Sequence, residues 1–302
     1  MGNGSRVGAR DDRGGARDDR GGVRDDRGGA RDDRGGARDD RGGQTLSAPK
    51  ALIEVRDLTV RYGDTVIVDG VDFTVADGDW FMIAGPNGAG KSTIIGAISG
   101  GVTYTGNIAC CGHDAKAYKP QAYARLIGVL EQRYSVGYSF TVEEVVRLGR
   151  YAYSRGVFAG GSDADDAAVD QAIERTGLEP FRHHSVLTLS GGELQRTFLA
   201  QLFAQEPRIL ILDEPTNHLD LVYQKQVFAL IGEWLKEPGR AVVSVVHDLS
   251  LAKAYGSRAM LLHGGKSVGA GPANEILCAK YLDTVYDMDV YAWMRTMLEQ
   301  WK

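Results

Sequence analysis

The sequence predicts an α/β fold: a mostly parallel β-sheet flanked by helices, with an N-terminal antiparallel β part and an inserted α-helical part. Three observations carry this. Trp80-Phe81-Met82-Ile83-Ala84, Ile209-Leu210-Ile211-Leu212 and Ala241-Val242-Val243-Ser244-Val245-Val246 are short, nearly continuous apolar runs, the pattern of strands buried on both faces. Residues 85–92 read Gly-Pro-Asn-Gly-Ala-Gly-Lys-Ser, a G-x-x-x-x-G-K-[ST] phosphate-loop pattern set between the first run and a helical stretch. The other two runs end in Asp213-Glu214 and His247-Asp248, and ligands sit at the carboxyl ends of parallel strands.

In chain order, residues 53–60 and 66–75 alternate apolar and polar side chains, which predicts half-buried antiparallel strands. The strand Trp80–Ala84 then enters the phosphate loop. Gly85, Gly88 and Gly90 let that loop curl without Cβ clashes. The curl turns backbone N–H groups toward phosphate oxygens, and the next helix, predicted over Lys91–Ile98, adds positive potential at its N-terminus. Lys91 is placed to reach the β- and γ-phosphates, and the Ser92 hydroxyl to sit on Mg²⁺. Further strands are predicted at 106–110 and 127–131. Residues 141–177 read as helical with an interruption at Gly160-Gly161, and a helix is expected from Gly192 to Ala204.

Composition narrows the classes. Residues 10–43 repeat Arg-Asp-Asp-Arg-Gly-Gly-Ala/Val with a period of seven and no apolar seam, which excludes a coiled coil. Eleven Arg oppose ten Asp in residues 1–43, so the segment is near neutral and has little apolar area to offset its ordering entropy. Residues 1–48 are therefore expected to be a disordered tail. A tandem repeat in the coding DNA, or a start codon set too far upstream, explains it more simply than an arm for anionic surfaces or RNA, because the interleaved Asp cancels the field. The chain's formal net charge is −5, which argues against nucleic acid as the main partner. No apolar run reaches the roughly 18 residues of a membrane span, and the N-terminus has no signal-peptide stretch. Three cysteines do not make a disulfide framework, and a reduced, cytoplasmic setting is expected. Cys110-Cys111-Gly112-His113 reads as a packed strand and turn, because adjacent strand residues face opposite ways and cannot easily share one ion.

The candidate chemistry converges on carboxylates and anion-binding turns. Asp213 can hold a Mg²⁺ shell and Glu214 can orient a water for in-line attack. Leu189-Ser190-Gly191-Gly192-Glu193 precedes a helix and offers a second anion-binding N-terminus. Asn217-His218-Leu219-Asp220 and His247 complete the set.

At this point residues 52–290 resemble the nucleotide-binding subunit of an ATP-binding cassette transporter, a P-loop NTPase. Gly85, Pro86, Asn87, Gly88, Ala89, Gly90, Lys91 and Ser92 match the Walker A motif, with Thr93 following. Leu189–Glu193 matches the signature motif, although Glu193 stands where Gln is most usual. Ile209–Asp213 matches Walker B. The resemblance implies that Tyr62 stacks on adenine and that Gln132 is the Q-loop residue on Mg²⁺, with Ser92 and Asp213. It implies that Glu214 is the catalytic base, that Asp220 closes the D-loop, and that His247 contacts the γ-phosphate. It further implies an ATPase domain over 49–290 with a helical subdomain at about 133–204 and a C-terminal segment at 291–302. The cofactors would be ATP and Mg²⁺. Two copies would close head to tail, each ATP lying between Walker A of one and Ser190-Gly191-Gly192 of the other. The pair would sit on the cytoplasmic face of the membrane, peripheral to integral permease subunits, with an extracytoplasmic substrate-binding protein engaged only indirectly.

Within that family, too few residues separate Lys91 from Asp213 for the long coiled coil of chromosome-maintenance ATPases. The chain holds one cassette, no fused membrane domain, and little room after His247 for a regulatory domain. Residues 141–150, Pro215–Asp220 and the ending Val285-Tyr286-Asp287-Met288-Asp289-Val290 are similar to importer ATPases for iron–siderophore, haem and cobalamin uptake. The ATPase never touches the cargo, so cargo is read by association. Alternatives are an importer of another cargo, such as zinc or manganese, and a soluble regulatory or repair ATPase with no permease. A groove near Gln132, lined by Tyr134, Tyr138 and Phe140, would favour the importer.

Overall fold

The computed structural model describes residues 50–132, 137, 139–153, 162–217 and 219–301. The expected tail, Tyr134, Tyr138, the Gly160-Gly161 interruption and His218 lie outside the described residues.

The chain opens with β1 (Ala51–Tyr62) and β2 (Thr65–Ala76), an antiparallel hairpin. Alternation along it buries Ile53, Val55, Val60, Val68, Val71 and Val75 on one face. There follow β3 (Trp80–Ala84), α1 (Lys91–Ile98), β4 (Thr105–Cys110), the two-residue β5 (His113–Asp114), α2 (Pro120–Leu126) and β6 (Ile127–Leu130). The first sheet has the order β2-β1-β4-β5. Cys110 is buried at the end of β4, and Cys111 takes a left-handed turn at φ +51°.

Three helices come next: α3 (Val142–Leu148), α4 (Asp163–Arg175) and α5 (Gly191–Ala204). Each begins with a reciprocal capping box, through Thr141 and Glu144, Ser162 and Asp165, and Ser190 and Glu193. Each box satisfies backbone donors that a helix start otherwise leaves free. Among the described residues of 141–177, a 3₁₀ turn at Gly149–Tyr153 ends α3. Buried Arg150 closes this region, donating to Asp165 at 2.8 Å, Glu206 at 2.6 Å and the Ala204 carbonyl at 2.8 Å.

The remainder alternates β7 (Ile209–Asp213), α6 (Leu221–Leu235), β8 (Ala241–Val245), α7 (Leu249–Tyr255) and β9 (Arg258–His263). It ends with β10 (Lys266–Pro272), α8 (Ala273–Ile276), α9 (Ala279–Tyr286) and α10 (Val290–Glu299). The second sheet has the order β10-β9-β3-β8-β7-β6. Every pairing from β9 to β6 is parallel, and β10 alone pairs antiparallel. Strand periodicity divides this sheet between two cores. Trp80, Met82, Leu210, Leu212 and Val242 face the helices α5 and α6, whereas Phe81, Ile83, Ile209, Ile211 and Val243 face α1 and the first sheet. Both faces are covered, which is why these strands read as unbroken apolar runs. No described helix is long and apolar enough to cross a membrane.

On the first face Phe228 of α6 stacks on Trp80, with ring centroids 5.2 Å apart, and lies 4.6 Å from Tyr255. The Trp80 indole also donates to Ser244 at 2.9 Å inside the sheet. Phe228→Ala is expected to lower the unfolding free energy by about 3–5 kcal/mol. Urea denaturation measures it, and a loss under about 1 kcal/mol would show that the stack does not hold this core together.

Candidate functional site

Because β3, β6, β7 and β8 run parallel in register, the residues that follow them gather at one sheet edge. Gly85–Ser92 follows β3, Gln132 follows β6, Asp213 ends β7 with Glu214 beyond it, and His247 follows β8. Together with Tyr62 and Ile67 from the hairpin, Asn87, Gly88, Gly90, Lys91, Ser92, Thr93, Gln132, Glu214, Asn217 and His247 line one cavity of ≈ 790 Å³. That volume lies in the range of small-molecule sites.

The phosphate loop is dictated by its glycines. Gly85, Gly88 and Gly90 have φ of +147°, +77° and +100°. A Cβ on Gly85 would lie 2.1 Å from the Leu262 carbonyl oxygen of β9, and one on Gly90 would lie 2.9 Å from the Ile67 carbonyl oxygen. Pro86 and Ala89 complete the turn. The Lys91 ammonium is buried and donates to the carbonyls of Gly85 and Pro86, each at 2.9 Å. Burial lowers its pKa, while the nearby Glu214 and Asp213 pull it back up.

Asp213 faces Lys91 from β7. Burial raises its pKa, a hydrogen bond from Ser92 lowers it, and the adjacent Glu214 raises it. Its Oδ1 is buried with no hydrogen-bond partner. A buried carboxylate oxygen without a donor, beside a serine hydroxyl, is a hard-oxygen pair of the kind Mg²⁺ takes. The residues present therefore fit that ion.

Glu214 sits at φ +52°, a strained conformation for a side chain other than glycine. Its backbone N–H is held by the Val245 carbonyl at 3.1 Å. Gln132 and Asn217 donate to Oε2 at 2.7 Å and 2.8 Å, and His247 Nε2 lies 2.5 Å from Oε1. Glu214 is largely shielded, while His247 is open to solvent. Tyr62 is 55% exposed at the mouth, so its ring face is available for stacking.

Ser190, Gly191, Gly192 and Glu193 do not line this cavity. Ser190 caps α5, and Glu193 folds back on it: its Oε2 accepts from the Ser190 N–H and hydroxyl, both at 2.8 Å. Those two bonds hold its pKa below the ordinary value. An S-x-x-E spacing at a helix start is the signal that would have found this cap. A Cβ on Gly192 would meet the Tyr223 ring at 2.3 Å, so this position must be glycine for α5 to pack on α6. Asp220 caps α6 by accepting from the Tyr223 N–H at 3.0 Å.

Asn217 and Val285-Tyr286 lie in motifs legible in the sequence and Gln195 does not, but the partners that all of them find had no signal there. The Asn217 side chain reaches Glu214, and Gln195 of α5 donates to the Pro215 carbonyl at 2.7 Å. The Tyr286 hydroxyl hydrogen-bonds the Gly85 backbone, while the Val285 carbonyl lies 3.0 Å from His263 Nδ1. Tyr286 therefore braces the phosphate loop.

Residues 68–217 match the family described as ABC transporter. The chain is 41% identical to the hemin import ATP-binding protein HmuV of Streptomyces coelicolor, over 77% of this chain and 82% of that protein. It is 39% identical to the uncharacterized ABC transporter ATP-binding protein YvrA of Bacillus subtilis, over 80% of this chain. It is 36% identical to the cobalamin import ATP-binding protein BtuD of Halobacterium salinarum, over 79% of this chain. The chain spans 54% of the length of YvrA and 59% of that of BtuD. Among solved structures, one described as an inward-facing metal-chelate type ABC transporter superposes with a TM-score of 0.69 at 25% identity, over 78% of this chain and 89% of that one.

Gly85→Ala is expected to weaken nucleotide binding at least about tenfold, because the loop cannot seat against Leu262. Titration with a fluorescent nucleotide measures it, and unchanged affinity would refute the steric argument. For Asp213 the sign is worked from its raised pKa: ionisation is disfavoured in the folded chain, so at neutral pH this group subtracts from stability, and the penalty lifts as pH falls through the carboxylate range. Asp213→Asn is therefore expected to raise the Tm of the Mg²⁺-free chain at pH 7. The gain should shrink toward about pH 4, and Mg²⁺-dependent nucleotide binding should be lost. A lower Tm at pH 7 without Mg²⁺ would show that Asp213 is already satisfied.

Proposed function

The chain belongs to the ABC transporter family, and from that premise we propose that it is the ATP-hydrolysing subunit of an importer for a metal chelate, an iron–siderophore, haem or cobalamin. The observation that carries the ATPase reading is the convergence of the phosphate loop, Glu214 and His247 on one cavity, with Asp213 beside Lys91 and Ser92. The haemin and cobalamin import ATP-binding proteins among its relatives support the class of cargo.

In this reading Tyr62 stacks on adenine at the cavity mouth, and the curled N–H groups of the loop bind the phosphates. Lys91 leaves the carbonyls of Gly85 and Pro86 for the β- and γ-phosphates. Ser92, Asp213 and the amide of Gln132 would hold Mg²⁺, which when bound would neutralise charge on the phosphate oxygens. Glu214 orients the attacking water and accepts its proton, and His247 turns from Glu214 to the γ-phosphate. Ser190, Gly191 and Gly192, away from their own cavity, close on the nucleotide of a second copy in a homodimer. The helices α3 to α5 move with that closure and carry the motion to a separate integral permease at the cytoplasmic face. A substrate-binding protein outside the cell delivers the chelate to that permease. No nucleic acid takes part.

Glu214→Gln is expected to bind ATP with wild-type affinity and to lose at least about 100-fold in kcat. Lys91→Ala is expected to lose nucleotide affinity. Wild-type turnover of Glu214→Gln would remove Glu214 from the mechanism. Purification of tagged Glu214→Gln from membranes with ATP, followed by mass spectrometry, tests the transport reading. A co-purifying polytopic protein supports it, and recovery only as a soluble dimer rejects it.

A further inference from the structure

Three donors hold the Glu214 carboxylate, and they are not equivalent. His247 stands on the loop after β8 and Gln132 on the segment after β6, so both belong to separate strand ends. Asn217 belongs to the same tight turn as Glu214. Its backbone N–H donates to the Glu214 carbonyl at 3.1 Å while its side-chain Nδ2 donates to Glu214 Oε2 at 2.8 Å. One residue thus grips both the main chain and the carboxylate of Glu214. Pro215 and Thr216 are buried between them, and Gln195 fixes the Pro215 carbonyl from α5. The turn is a rigid bracket.

A glutamate has three side-chain torsions, and its carboxylate must be presented in one orientation to act on a water. Resting on the reading of Glu214 as the catalytic carboxylate, we propose that Asn217 is a positioning residue for hydrolysis. It pins Oε2 so that Oε1 is the oxygen presented to water once His247 swings away. The holds from Gln132 and His247 come from separate strand ends and are given up when those side chains turn to the ligand, as the proposed function requires. The hold from Asn217 travels with Glu214, because only three positions separate the two. Charge adds to it, since an amide N–H donated to a carboxylate is a stronger bond than one between neutral groups.

The test is steady-state ATPase of the purified full chain with Mg²⁺ and ATP, with ATP affinity measured in parallel by fluorescent-nucleotide displacement. Asn217→Asp keeps the size and turn preference of the residue but replaces the donor by an acceptor. Asn217→Ala removes the side-chain contact. Both are expected to lower kcat about tenfold, Asp more than Ala, with affinity and KM within about twofold of wild type. In a Glu214→Gln background the same substitutions are expected to change the residual rate less than about twofold. Retention of kcat in both single variants overturns the inference. So does an equal loss in the Glu214→Gln background, because Asn217 would then act independently of the carboxylate. A parallel loss of affinity would reduce Asn217 to a general support of the fold and equally overturn it. If wild type and Glu214→Gln turn over alike, it is the hydrolysis role of Glu214 that fails, and the inference falls with it.

Discussion

The whole site depends on the parallel register of β6, β7, β8 and β3. Parallel pairing sets neighbouring strand ends side by side, so Leu130, Leu212, Ser244 and Met82 lie in one row across the sheet. Whatever follows each strand must then emerge at the same edge. A one-residue slip would exchange the two faces of every strand. Trp80 and Phe81, now in separate cores, would each be driven into the wrong one. Core packing thus fixes the register, and the register aligns the chemistry.

At that edge the electrostatics are a balance of opposed charges in a partly dry space. Lys91 is flanked by Asp213 and Glu214, and burial still dominates its pKa. The same is true of Asp213, for which burial outweighs the Ser92 hydrogen bond. The two shifts point the same way: each charged form is less comfortable here than in water. Such a site gains more from a charged ligand than a solvated one would, because the groups already desolvated face new partners. Glu214 differs, since three donors satisfy it where it stands.

Much of this was readable in the residues. Continuous apolar runs marked the buried strands, and Gly85–Ser92 declared its own conformation, because each glycine stands where φ is positive or a Cβ has no room. What could not be read was the meeting of distant side chains. The bond from Gln132 to Glu214 joins residues 82 positions apart, and that from Gln195 to Pro215 joins a helix to a turn. Periodicity reports which face a residue occupies, not which partner it finds there. Residues 258–272 escaped for a different reason. The strand β10, Lys266–Pro272, holds two glycines and a proline, poor strand formers that pair because β9 lies beside them.

The position of β3 also orders events during synthesis. Trp80 donates from its indole to Ser244, 164 positions later, and from its main chain to Ser257, 177 positions later. The flanking strands β8 and β9 and the brace from Tyr286 all lie in the last third of the chain. A ribosome therefore releases the phosphate loop early but cannot let it take shape until most of the protein has followed. Meanwhile an apolar strand waits unpaired, the situation in which nascent chains need shielding from one another.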